Sequence, residues 1–441
     1  MTRDTIFALA TAPGRAAIAV VRMSGPEAGV ILKRLCPIPA PRQAALRVIR
    51  GLDGQPLDEA LVLWFPGPNS FTGEDVFELQ LHGGPAIVGA VAETLTTLGG
   101  RLAEPGEFTR RAFEAGRLEL SQAEAIGDLV DAETEAQRKQ ALAQLGGNLA
   151  RQGEAWRETL LSALAFLEAQ IDFPDEEIPT DIAEAAREPL LELAAELDAA
   201  IADVRGERIR DGLRIALIGA PNAGKSSLLN ALVRRDAAIV TAIPGATRDV
   251  IEIPMLIDGY KVLLADMAGI RAATDQVEIE GVRRAKAWAA SADLRLWIVD
   301  TGQETETDAD IAALIQPDDL RVLTKADLGR RNDPRPEEVK KAVRTSTVEP
   351  DGVEALRAAL RAWVSQAFTG TDTPTVTQLR HRILLIEARD HLARGLLRPA
   401  HDAELIAEDV RLVAHALERL SGRLDPDAVL DRVFSSFCIG K

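Results

Sequence analysis

The chain has 441 residues, 46% of them hydrophobic, enough for about three domains of roughly 150 residues with a core in each. A formal charge of −17 argues against broad electrostatic binding to phosphate backbones, so an RNA substrate would need a local patch or a partner to hold it. Two distant cysteines, Cys36 and Cys438, fit a reducing cytosol better than a disulfide framework; no signal peptide opens the chain and no apolar run is bilayer-long, so a cytoplasmic protein is expected.

In chain order, residues 1–117 mix the β-like runs "AAIAVVRM", "EALVLWF" and "DVFELQLH" with Gly/Pro turns such as "PGPNSFTGED", which predicts a small α+β domain. From 118 to 210 the period is helical. Leu160, Leu164, Leu167 and Ile171 recur at steps of four and three, and Leu190, Leu193, Leu197, Ile201 and Val204 continue the style, each series giving one apolar stripe. Residues 211–372 alternate strands with helices through "LRIALIG", "YKVLLAD", "LRLWIVD" and "LRVLTK", the pattern of a parallel α/β sheet. In 373–441 stripes return at Leu379, Ile383 and Ile386, then at Ile406, Val410, Val413, Leu417 and Leu420. Neither helical block could bury its stripes alone. The predicted fold is therefore multidomain: an N-terminal α+β domain, and a helical bundle in two halves with the α/β domain inserted between them.

The chemistry concentrates in the inserted domain. "GAPNAGKSS", residues 219–227, follows a strand and opens a helix, satisfying G-x-x-x-x-G-K-[ST] in its required context. Gly219 and Gly224 let the backbone around Asn222 and Ala223 curl so that N–H groups face phosphate oxygens. Lys225 is predicted to reach the β- and γ-phosphates and Ser226, beside Ser227, to bind Mg²⁺. Downstream, Thr247 in "GATRD" can supply a second hydroxyl to Mg²⁺. Asp266 opens "DMAG", where its carboxylate can hold a metal-bound water and Gly269, after Met267 and Ala268, can offer its N–H to the γ-phosphate. Ile270 follows, in the slot where a glutamine orients water in Ras-like switches; either the nucleotide is not hydrolysed or other groups do the work.

The base-recognition station, ordinarily N-K-x-D, reads "TKAD". Asp327 can accept from the N1–H and exocyclic amine of guanine, so GTP is the expected nucleotide; Thr324 before Lys325 lacks the amide that ties this loop down, and weaker affinity is expected. Ser346 and Thr347 fall where a Ser-Ala pair usually caps the guanine.

Beyond these GTPase stations, the whole chain resembles the MnmE family, also called TrmE, of tRNA-modifying GTPases. The resemblance is carried by "DTIFALATAPGRAAIAVVRMSG", "SFTGEDVFELQLHGGP", "RLAEPGEFTRRAFEAGRLELSQAEAI", "IDFPDEEI" and the final "FSSFCIGK". It implies an N-terminal tetrahydrofolate-binding and dimerisation domain, a helical domain carrying the GTPase, and a homodimer. It also implies a flavoprotein partner, MnmG, with which aminomethyl or carboxymethylaminomethyl groups are installed at position 5 of the wobble uridine of certain tRNAs. 5,10-Methylene-tetrahydrofolate, with 5-formyl-tetrahydrofolate as its analogue, would supply the carbon, and the partner's FAD and basic surface would reconcile an acidic protein with tRNA.

The same resemblance implies that K⁺ and a displaced glutamate replace the missing glutamine. Asn222 matches the side-chain ligand of K⁺, and Thr241 and Ile243 match carbonyl ligands in the GTP-binding loop Thr241, Ala242, Ile243, Pro244, Gly245, Ala246 and Thr247. Ala246 stands where a second threonine usually touches the ion, so weaker K⁺ stimulation is predicted. Glu278 matches the catalytic glutamate; the alternative is a solvated charge, with Glu280 nearby. For the folate, the resemblance points to Arg22, Glu78, Arg117 (where lysine is common) and Lys441, each of which taken singly would read as a surface charge. Cys438 is either a nucleophile toward the uridine or a small residue that packs the tail. His82 reads as a turn or core histidine, and the other histidines have no metal-ligand spacing. Two rival readings are a regulatory or ribosome-assembly GTPase without RNA chemistry, and a folate-dependent transferase with an idle GTPase domain.

Overall fold

The computed structural model describes residues 4–172, 181–236, 252–267, 276–301, 309–328, 342–370, 373–399, 401–422 and 427–440. The first 114 residues give β1 (Ile6–Leu9), β2 (Ile18–Ser24), α1 (Ala28–Leu35), β3 (Ala45–Arg50), β4 (Pro56–Phe65), β5 (Val76–His82), α2 (Pro85–Thr97), β6 (Arg101–Leu102) and α3 (Glu107–Glu114). Their sheet runs β3-β4-β5-β2-β1-β6, antiparallel except for the β1–β6 pair. Alternation decides its faces. Val21, Met23, Val62, Phe77, Leu79 and Leu81 share one core with Ile31, Leu32 and Leu35 of α1 and Val91 and Leu95 of α2. Arg22 and Glu78, one residue out of step, therefore belong to the other face.

Helices α4 (Leu120–Asp131), α5 (Glu135–Leu145), α6 (Asn148–Asp172), α7 (Asp181–Ala202) and α8 (Arg205–Asp211) follow. Next come β7 (Leu213–Gly219), α9 (Lys225–Asp236), β8 (Glu252–Ile257), β9 (Tyr260–Asp266), α10 (Gln276–Ser291), β10 (Leu294–Asp300), α11 (Ala309–Ala312), β11 (Leu320–Thr324), β12 (Ala342–Arg344) and α12 (Glu354–Ala367). Helices α13 (Leu379–Leu396), α14 (Ala403–Ser421) and α15 (Asp427–Ser435) close the chain. The contacts divide into two compact units, one of residues 1–130, 143–198 and 383–441, the other of 131–142 and 199–382.

In the first unit the early and late helical blocks are partners. α6 packs along α14, burying Trp156, Leu160, Ala163 and Leu167 on one helix and Val410, Val413, Leu417 and Leu420 on the other. Two expected stripes need correction. Helix α7 ends at Ala202, so Val204 is the N-cap of α8 rather than part of its stripe. On α13, Leu379 and Ile383 are exposed, and Leu384, Leu385, Ala388 and Leu392 are buried. "RILLIEA" holds more apolar residues than one helical face can cover, and the residues further along the helix decide which face turns inward.

In the second unit the sheet order is β12-β11-β10-β7-β9-β8. The four strands read from the sequence are mutually parallel, as expected; β12 joins them in parallel and β8 adds an antiparallel edge. Leucines of α9 and α12 cover one face, and alanines of α10 with Ile311 of α11 cover the other. Strand β7 is the switch point: β8 and β9 build away on one side and β10 to β12 on the other, which opens a crevice at its carboxyl end.

Candidate functional site

The phosphate-binding motif occupies that crevice. β7 ends at Gly219, where a Cβ would lie 2.3 Å from the Ile298 carbonyl oxygen on β10, so only glycine lets the strand end this close to its neighbour. The turn then passes through left-handed backbone at Asn222 (φ +59°) and Gly224 (φ +95°) before α9 begins at Lys225. This is the curl that aims N–H groups and a helix N-terminus at an anion. Lys225 Nζ donates to the carbonyls of Gly219 at 2.9 Å and Ala220 at 3.0 Å, which holds the ammonium over the loop. Asn222 and Ser227 are exposed, and Ala223 is buried.

Ser226 Oγ donates to Asp266 Oδ2 at 2.6 Å, bringing together two residues 40 positions apart. Asp266 Oδ1 is buried and has no hydrogen-bond partner among the described residues. A hydroxyl facing a carboxylate with one unsatisfied oxygen is an oxygen donor set suited to Mg²⁺ and its waters. Met267 continues from β9 with its N–H donated to the Leu217 carbonyl at 3.1 Å.

The base loop reaches the same place from β11. Thr324 Oγ1 lies 2.6 Å from the Ala223 carbonyl and 3.2 Å from that of Val299, and it donates its proton to the nearer. The sequence predicted that losing asparagine would untie this loop; the threonine hydroxyl in fact bonds the phosphate loop directly. Lys325 Nζ donates to the Asn222 carbonyl at 3.1 Å and to Asp300 Oδ2 at 2.7 Å. Ser346 Oγ donates to Asp327 Oδ1 at 2.8 Å, fixing the carboxylate that would read guanine, while Thr347 is exposed. Asp300 and Thr301 belong to no motif and were missed; the only signal was an acidic residue at a strand's carboxyl end.

Thr241, Ala242, Ile243, Pro244, Gly245, Ala246 and Thr247 lie outside the described residues, as do Ala268, Gly269 and Ile270. Glu278 and Glu280 fall on α10, but their side chains are outside the described residues.

In the other unit, β2 and β5 pair Arg22 with Glu78, and two guanidinium nitrogens reach the same carboxylate oxygen, Oε1, at 2.8 and 2.7 Å. Arg22 also lies 5.9 Å from the centre of the Phe108 ring. Arg117 bonds elsewhere, donating to the Pro68 carbonyl at 2.9 Å. His82 is exposed, and its Nδ1 lies 2.8 Å from Asp58, so it sits at a strand end rather than in a core. The chain's last turn docks on this unit. Phe434 is buried beneath Gly106 and Phe113, Ile439 bridges to Pro105, and Gly440 lies against Leu9. Cys438 is exposed in this docked tail, and Lys441 is outside the described residues. Burial pushes the Cys36 thiol up to about 11, against a smaller opposing pull from Arg47.

A phosphate loop at the switch point, with a serine–aspartate pair and an aspartate-bearing base loop converging on it, defines a P-loop GTPase. Two family models match the chain: the MnmE helical domain over residues 120–438 and the GTP-binding protein TrmE N-terminus over residues 5–117. A tRNA modification GTPase MnmE of Phenylobacterium zucineum is 55% identical over 446 residues, covering 99% of this chain and all of the relative. One of Caulobacter vibrioides is 56% identical over 446 residues with the same coverage. Among solved structures, the G domain of the T. maritima FeoB iron transporter is 22% identical, with a TM-score of 0.25, over 34% of this chain and 98% of its own. The chain belongs to the MnmE (TrmE) family of tRNA modification GTPases. Among the described residues no helix is long and apolar enough to cross a membrane.

Proposed function

We propose that this GTPase works in the cytoplasm as a K⁺-stimulated homodimer. With an FAD-carrying MnmG partner, it would install aminomethyl or carboxymethylaminomethyl groups at position 5 of the wobble uridine, using a methylene-tetrahydrofolate carbon. In this reading residues 1–117 bind the folate and dimerise, 118–210 and 373–441 form the helical domain, and 211–372 hydrolyse GTP.

The observation that carries the reading is the docked tail. It brings the segment containing Cys438 against β1, and the neighbouring strand β2 carries Arg22 opposite Glu78. A regulatory or ribosome-assembly switch has no use for that arrangement. Glu78 would pair with pteridine N–H groups through the oxygen that Arg22 leaves unused, and Arg22, Arg117 and Lys441 would meet the folate's carboxylates.

In the GTPase unit, Ser226 and Asp266 would hold Mg²⁺ directly or through water, with Thr247 as the second hydroxyl. Asn222, exposed at the rim of the phosphate loop, would be the side-chain ligand of K⁺ together with the Thr241 and Ile243 carbonyls. K⁺ supplies positive charge beside the phosphates, where negative charge develops during transfer. Glu278 would orient the attacking water, the task that Ile270 cannot perform.

Hydrolysis rates in potassium and sodium at equal ionic strength test this. Potassium is expected to be faster, by less than in relatives with threonine in place of Ala246. Glu278→Ala should lose about 100-fold in rate, while Glu280→Ala stays near wild type. Equal rates in the two salts would refute the potassium role, and little loss in Glu278→Ala would end that assignment.

A further inference from the structure

Lys325 in the base loop has left-handed backbone, φ +57°, which a non-glycine residue keeps only when its surroundings enforce it. The enforcement comes from the end of β10. Asp300, whose carboxylate is 6% exposed, takes the Lys325 ammonium at 2.7 Å, and that ammonium also donates to the Asn222 carbonyl of the phosphate loop. The next residue holds the loop's backbone: the Thr301 N–H donates to the Thr324 carbonyl at 3.2 Å. Its hydroxyl lies 3.0 Å from that carbonyl and 3.1 Å from the Lys325 carbonyl. One side-chain charge and two backbone carbonyls of the same turn are thus fixed from a single strand end.

We propose that Asp300 and Thr301 are positioning residues for the guanine nucleotide, an inference that rests on reading 324–327 as the base loop. They act through Lys325 and Thr324, the residues their bonds reach. By locking Lys325 in its left-handed turn they fix the loop that carries Asp327 and, through the Lys325–Asn222 bond, tie it to the phosphate loop. The nucleotide then binds a formed site instead of ordering one, which is where preorganisation raises affinity. The device suits a chain whose base loop carries the short Thr324 in place of an amide: Thr324 itself reaches the phosphate loop through one hydroxyl bond, and the Asp300-held Lys325 adds a second tie at Asn222.

The test is titration of fluorescent GDP into the full-length protein, with KM and kcat for GTP measured alongside. Asp300→Asn and Thr301→Val should each raise the GDP Kd and the GTP KM about tenfold, the loss of one good hydrogen-bonding or ionic tie. kcat should fall less than twofold, and the preference for GDP over IDP, which lacks the exocyclic amine read by Asp327, should shrink. Thr301→Ser, which keeps the hydroxyl, should restore wild-type affinity. Wild-type Kd in both variants would overturn the proposal, as would a kcat loss at unchanged KM or a failure of Thr301→Ser to rescue. If Asp300→Asn does not fold, the Thr301 pair decides alone. A wild-type protein that fails to bind GDP in the same assay refutes the base-loop reading itself.

Discussion

Arg295 on β10 is 3% exposed, yet every direction of its guanidinium is answered. Nε meets Asp319 at 2.8 Å, Nη2 donates to Gln316, and Nη1 donates to the carbonyls of Ala289 and Ala292. Asp319 in turn accepts the N–H groups of Arg295 and Gln316. Removing one member of such a pair strands the other charge in the interior, so Asp319→Ala should cost about 3–5 kcal/mol. Thermal unfolding should show it as a midpoint lowered by roughly 10 °C; a shift within the error of the wild-type midpoint would mean the pair is dispensable. At this scale legibility in the sequence follows locality. Gly219, Gly224, Lys225 and Ser226 were readable because a fixed spacing within one short stretch announces them, although Gly219 also meets Ile298 and Ser226 meets Asp266 across the sheet. Asp300 and Thr301 were not, because their role arises only where β10 and β11 lie side by side, Asp300 opposite Thr324. Thr324 itself was read as a loss of contact because a sequence cannot show that a shorter side chain still reaches the Ala223 carbonyl.

Helices and strands were legible where one apolar pattern dominated. β7, β9, β10 and β11 are hydrophobic-rich runs, each broken by a single basic residue, and all four lie where those runs predict. β3 was missed because it is an edge strand in which three of six residues are exposed. The face of α13 was misread because four consecutive apolar residues admit more than one register. What fixes that helix against α14 is partly ionic: Asp409, buried on α14, accepts from Arg394 at 2.6 Å and from Arg398 at 2.7 Å. Burial alone would raise the Asp409 carboxyl, but the hydrogen bonds and charges of the two arginines outweigh it and hold it below the ordinary range. A carboxyl depressed in the folded state stabilises fully above its unfolded value, about 3.9, and that stabilisation is lost as pH falls through the folded value. Asp409→Asn should therefore be less stable than wild type at pH 7 and converge with it in strong acid. Denaturant midpoints across pH would show this; a gap that persists or widens in acid would contradict the sign.

Across the whole molecule, the plan of an α/β domain inserted into a helical one was readable because amphipathic stripes at 160–171 and 406–420 each lacked a partner nearby in sequence. α6 and α14 supply one another's. The docking of the tail was implied only by the resemblance that groups Lys441 with Arg22 and Glu78; no local pattern announces it, since Phe434, Ile439 and Gly440 meet residues more than 300 positions earlier. In the proposed reading, that long-range closure would build a site on the N-terminal sheet beyond the one for GTP, with modified tRNA as its product. Mass analysis of wobble nucleosides in tRNA from cells lacking this chain, against cells with it restored, tests that expectation most directly. 5-Aminomethyl and 5-carboxymethylaminomethyl uridines should disappear without the chain and return with it. Unchanged wobble modification in its absence would contradict the proposed reading.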